Sequence, residues 1–145
     1  MALFFQAIQS YGLAAEPERI SIDELKSLID SKADIVIIDV RQANNYDTGH
    51  LPKAISVPFP DGIHAKHDEL PKDKLLVLYC SWLEEATSAS SARMLEDSYG
   101  FQHDNLKVLK GGFIAWRDAG YPIETITAVK TIGKIPILWG KIKSK

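Results

Sequence analysis

Leu75-Leu76-Val77-Leu78-Tyr79-Cys80-Ser81-Trp82-Leu83-Glu84-Glu85-Ala86 runs from unbroken hydrocarbon through a thiol into a polar loop. An apolar run of five residues reads as a strand buried on both faces. Cys80 stands at the carboxyl end of that strand. From Ala86 to Tyr99 the pattern changes to helical. Ala89, Ala92, Leu95 and Tyr99 fall near one face, and Gly100 supplies the stop. This is a strand, a short loop and a helix, which is one βα unit.

The same grammar extends in both directions. Upstream, Asp34-Ile35-Val36-Ile37-Ile38-Asp39-Val40 is a second buried strand. Before it, Ile20 marks a short first strand. Ser21 and Glu24 have capping-box spacing ahead of a helix whose apolar face is Leu25, Leu28 and Ile29. Gly49 and Pro52 mark a loop, and Ala54-Ile55-Ser56-Val57 is a short strand that Pro58 ends. His64 and His67 fall in a polar loop. Downstream, Leu106-Lys107-Val108-Leu109 is the last core strand. Gly111-Gly112 then turns into a helix through Trp116 that ends at Gly120. Strands alternating with helices imply an α/β fold with a mainly parallel sheet.

The 145 residues fit one domain, read as 18–124, with an N-terminal arm at 1–17 and a C-terminal tail at 125–145. All 19 acidic residues lie at or before Glu124, with 12 of the 17 basic ones, so that part carries −7. The tail carries five lysines and no acid. A body so acidic argues against nucleic acid as a partner. The tail mixes its lysines with Ile132, Ile135, Ile137, Leu138 and Trp139, and Pro136 interrupts any long helix. It is expected to pack on the body or on a partner chain; a homodimer is a separate candidate assembly. Contact with an anionic membrane surface is the weaker reading. No stretch reaches the length of a membrane span, and the N-terminus lacks the basic start of a signal peptide. The single cysteine excludes an internal disulfide and suits a reducing, cytoplasmic compartment.

Ligands of open parallel sheets bind beyond the carboxyl ends of the strands. A loop entering a helix there can turn consecutive amides toward one point, and the helix dipole adds to that field. A thiol so placed is expected to ionise more readily and to act as a nucleophile. Against this stands the common alternative that a cysteine ending a buried strand is a small core residue.

Three motifs shift that balance. Ile38-Asp39-Val40-Arg41, with Tyr46, Gly49-His50-Leu51-Pro52, Ala54-Ile55 and Val57-Pro58, resembles the first signature of rhodanese domains. Val77-Leu78-Tyr79-Cys80 resembles the strand that delivers that family's active-site cysteine. Gly111-Gly112-Phe113, Ala115-Trp116 and Ala119-Gly120-Tyr121-Pro122 resemble its closing signature. The resemblance covers roughly 20–122, with the motifs in order. It implies a rhodanese-like three-layer fold, a five-stranded mainly parallel sheet with helices on both faces. It also implies transfer of sulfane sulfur through a Cys80 persulfide, from a small donor such as thiosulfate or a persulfide to a thiol or cyanide acceptor. The substrate-binding loop is then Ser81, Trp82, Leu83, Glu84, Glu85 and Ala86, supported by Asp39 and Arg41. No metal or organic cofactor is implied.

The chain departs from the family pattern at two positions that bear on chemistry. Active members carry a basic residue five positions after the cysteine, where this chain has Glu85 with Glu84 beside it. Carboxylates aimed at the sulfur would repel a dianion such as thiosulfate. Asn45 stands where the family often has an acid with which Arg41 pairs; Asp47 is a candidate replacement, and Asp39 with Arg41 at the strand end is expected to be a structural salt bridge holding the loop that follows. Among the remaining residues, Trp82 either walls the pocket or packs on the neighbouring helix. His50 is expected to fix its loop by a hydrogen bond. Ser88, Ser90 and Ser91 are polar helix positions with no nucleophile context. A phosphatase or arsenate reductase is disfavoured because the loop has no arginine. A non-catalytic binding or sulfur-relay module acting with a protein partner remains the alternative to an enzyme.

Overall fold

A computed structural model describes residues 15–82 and 85–126. The expectations for the rest of the N-terminal arm, for Leu83 and Glu84 of the loop, and for the tail beyond Ile126 lie outside the described residues.

Five strands form one parallel sheet: β1 (Glu18–Ile20), β2 (Ile35–Asp39), β3 (Ile55–Ser56), β4 (Leu75–Tyr79) and β5 (Leu106–Leu109). Their spatial order is β1-β5-β4-β2-β3, and every pairing is parallel. The two longest apolar runs therefore lie side by side, with Ile35 opposite Leu75 and Asp39 opposite Tyr79. Residues alternate between faces along each strand. Val36, Ile38, Leu76, Leu78 and Cys80 belong to one hydrophobic cluster, while Ile35, Ile37, Leu75, Val77 and Tyr79 belong to the other.

Helices cover both faces. On the Tyr79 side, α1 (Ile22–Asp30) buries Leu25, and α5 (Gly112–Asp118) buries Trp116. On the Cys80 side, α3 (Asp61–Lys66) buries Ile63, and α4 (Ala86–Tyr99) buries Ala92 and Leu95. The expected layers and sheet are thus present. The capping box of α1 forms as its sequence implies, with Ser21 and Glu24 each accepting from the other's backbone N–H. Gly100 ends α4 at φ 74°, where a residue with a side chain would be strained.

Two short helices interrupt segments read as loops. One is α2 (Ala43–Thr48), and the other is α3, which carries His64. His67 follows in a single 3-10 turn at His67–Glu69. Each helix has six residues, too few to show a period, and α2 buries no side chain. No helix among the described residues is long and apolar enough to cross a membrane.

Candidate active site

The register of β2 and β4 brings two polar systems to the carboxyl edge of the sheet. The first is a buried charge network. Asp39 is fully buried and accepts from the Arg41 backbone N–H at 3.0 Å, from Arg41 Nε at 2.9 Å and from Nη2 at 2.6 Å. The Tyr79 hydroxyl donates at 2.7 Å to Oδ2, the oxygen that also accepts Nη2, and itself accepts the Leu51 N–H at 3.1 Å. Arg41 Nη2 also donates to the Gly49 carbonyl at 2.6 Å. Every lone pair of a buried carboxylate needs such partners. The Arg41 guanidinium lies 4.2 Å from the Phe113 ring centroid. Burial opposes its charge, but the hydrogen bond and the field of Asp39 outweigh that and hold its pKa above the ordinary value. Burial first, and the Asp39 charge second, push the Tyr79 phenol well up, so it stays a donor at working pH. The partner of Arg41 is therefore Asp39, two residues back on the same strand end, and not Asp47.

This network pins the segment after β2. His50 Nδ1 donates to the Tyr46 carbonyl at 2.8 Å, and the imidazole stacks on the Tyr46 ring at 3.8 Å. His50 and Glu124 also exchange backbone hydrogen bonds, both 2.9 Å, which ties the end of the described chain to this loop. The loop-fixing role expected of His50 matches this geometry. His64 is engaged by the Tyr99 hydroxyl at 2.5 Å, and His67 stacks on the Tyr99 ring.

The second system surrounds the thiol. Cys80 is 6% exposed and borders a cavity of about 280 Å³. Val40, Arg41, Gln42, Asn45, Phe59, Ser81, Trp82 and Thr87 complete the lining, with no acid among the described residues. Trp82 is 70% exposed, so it forms a rim of the cavity instead of packing on a helix. The N–H groups of Ser81 and Trp82 have no hydrogen-bond partner among the described residues, while that of Glu85 is committed to the Trp82 carbonyl at 3.3 Å. The Glu85 amide is thus spent within the loop. The open N-terminus of α4, with no side-chain cap, adds further unbonded amides.

Glu85 neither faces the sulfur nor points freely into water. Its backbone is left-handed, at φ 54°, a conformation that costs an ordinary residue about 1 kcal/mol. Its carboxylate accepts the Gly111 N–H at 3.0 Å and pairs with Arg19 Nε at 3.4 Å. Glu85 and Ala86 do not line the cavity. The loop end is held instead to β1 and to the start of α5. That start sits directly behind the thiol: the Phe113 N–H donates to the Cys80 carbonyl at 2.8 Å, and a Cβ on Gly112 would lie 2.3 Å from that carbonyl oxygen. Only glycine fits there.

One contact escaped sequence reasoning. The Ser88 hydroxyl, fully buried, lies 3.5 Å from Cys80 Sγ. Its place two residues into α4 could have flagged it, since the first turn of that helix must face the loop. The run of serines around it hid the signal.

A family model described as Rhodanese-like domain matches residues 21–119. The chain belongs to the rhodanese-like domain family. It is 29% identical over 104 residues to a sulfurtransferase of Allochromatium vinosum, covering 72% of this chain and 92% of the relative. It is 25% identical over 126 residues to the adenylyltransferase and sulfurtransferase UBA4 of Saccharomyces cerevisiae, covering 79% of this chain but only 28% of the length of UBA4. Among solved structures, the rhodanese-like domain of the Anabaena protein Alr3790 superposes with a TM-score of 0.65 at 30% identity, covering 77% of this chain and 81% of that one.

Proposed function

We propose that this chain is a sulfurtransferase that carries sulfane sulfur as a persulfide on Cys80, in a domain spanning 18–124. The observation that carries this reading is a buried thiol at the end of β4 with a cavity opening onto it. A core cysteine would be closed in by hydrocarbon. The thiolate attacks the outer sulfur of a donor persulfide, R–S–SH. A Cys80–S bond forms as the donor S–S bond breaks, and the electron pair leaves on R–S⁻. An acceptor thiolate then attacks the outer sulfur, takes it, and returns Cys80 as thiolate. No net oxidation occurs.

The donor we favour is a small persulfide over thiosulfate. Among the described residues the cavity offers one cation, Arg41, and Asp39 already neutralises it. A dianion would find little to replace its hydration. Incubation with each donor followed by intact-mass measurement tests the proposal. Wild type is expected to gain about 32 Da from the persulfide and Cys80→Ser nothing. No gain from any donor would end the sulfur-carrier reading.

The relay reading keeps support from Trp82. A tryptophan left 70% exposed on the rim of the cavity suits contact with a large acceptor. In that case the thiol that takes the sulfur belongs to a partner protein. Transfer from persulfidated protein to small thiols would then be slow and unaffected by Trp82→Ala.

A further inference from the structure

We infer that Ser88 is the switching hydrogen-bond partner of the Cys80 sulfur and a positioning residue for its chemistry. The inference rests on Cys80 being the sulfur carrier. Ser88 Oγ lies 3.5 Å from Cys80 Sγ and donates its own proton to the Glu85 carbonyl at 3.0 Å. With the proton so directed, the oxygen presents lone pairs to the sulfur, and a resting thiol donates to them. A thiolate has no proton to give. Rotation about one bond then carries the Ser88 hydrogen from the carbonyl to the sulfur. The exchange replaces a neutral hydrogen bond with a charge-assisted one.

The Glu85 carbonyl is built to release that proton. It also accepts the Ala89 N–H at 2.9 Å, so it stays satisfied when the hydroxyl turns away. Its direction is fixed by the left-handed backbone at Glu85, and the Glu85 carboxylate is anchored by Gly111 and Arg19. Among the described residues, no other side chain hydrogen-bonds the sulfur. A fully buried hydroxyl with a rigid second acceptor therefore serves both charge states of Cys80. It needs no water and no movement of the backbone.

The test follows the alkylation of Cys80 by iodoacetamide against pH in the full chain, with intact-mass measurement of donor sulfur run alongside. Ser88→Ala removes the hydroxyl with little change of volume. Ser88→Thr keeps it, and Ser88→Val has the bulk of Thr without it, so a packing defect cancels between those two. Ala is expected to react about tenfold more slowly than wild type at neutral pH, the loss of one charge-assisted hydrogen bond. Val should lag Thr by a similar factor, and both hydroxyl-free variants should show a profile displaced to higher pH. Profiles of Ala and Val that superimpose on those of wild type and Thr would overturn the role of Ser88, even if wild type takes up sulfur normally. Serine-dependent alkylation in a wild type that takes up no sulfur would overturn the carrier reading and leave the pairing in place.

Discussion

The two polar systems at the carboxyl edge of the sheet are bonded in opposite ways. On the Tyr79 side, Asp39 is enclosed by Arg41 and the Tyr79 hydroxyl, and each of those partners holds a piece of the next loop. On the Cys80 side, the sulfur has one neutral hydroxyl as partner among the described residues, and an open cavity. Full ionic partners suit a joint that never opens, since a buried pair loses heavily when either member is removed. A sulfur that must gain and lose an atom is better served by a partner that donates or accepts. Charge fixes the frame, and among the described residues the side chain that hydrogen-bonds the reacting atom is neutral.

The widest gap between the two sides should appear in stability. Asp39→Ala leaves Arg41 buried without a counter-charge and the Tyr79 hydroxyl without its acceptor. It is expected to lower the unfolding free energy by about 3–5 kcal/mol in urea titrations. Cys80→Ser on the other side should change it by about 1 kcal/mol or less while abolishing sulfur uptake. Equal losses from the two variants would erase the distinction between frame and reacting atom.

Glu85 belongs to the frame although it sits on the loop of the sulfur. Replacing it with the family's basic residue is therefore not a restoration. Glu85→Arg sets a second cation beside Arg19 and leaves the Gly111 N–H without its acceptor. The expected cost is about 2 kcal/mol, with no gain in thiosulfate turnover. Adding Arg19→Glu should recover part of the stability by re-forming the pair with reversed sign. A stable Glu85→Arg with faster thiosulfate transfer would move Glu85 from the frame to the reaction.

What the sequence disclosed follows the range of the interactions involved. Buried strands advertise themselves, and the run at Leu75 to Tyr79 coincides with β4 residue for residue. The helix from Ala86 to Tyr99 and its glycine stop were legible for the same reason, a long period with a local signal. The pairing of Asp39 with Arg41 spans two residues and was within reach. The anchor of Glu85 was not, because Arg19 lies 66 positions away and meets it only when β1 joins the far edge of the sheet. Motif comparison could flag the missing cation, but only the fold shows that an existing one had been spent on the acid.

A third charge pair sets the lower end of this scale. His103, before β5, engages Glu96 of α4 at 3.0 Å, with both side chains more than a quarter exposed. The hydrogen bond to Glu96, chiefly, raises the His103 pKa above its ordinary value. A histidine whose folded pKa is raised lends stability below its unfolded pKa of about 6.5, and loses it as pH climbs through the folded value. Solvent screens the pair, so the contribution should be about 0.5 kcal/mol or less. Urea unfolding of His103→Gln against wild type should therefore show a small deficit at pH 5.5 and none at pH 8.5, pH values chosen roughly either side of the histidine range. A deficit of the same size at both would mean that His103 acts through packing. A deficit at pH 5.5 rivalling that of Asp39→Ala would break the link between burial and the strength of a charge pair on which the contrast of the two sides is built.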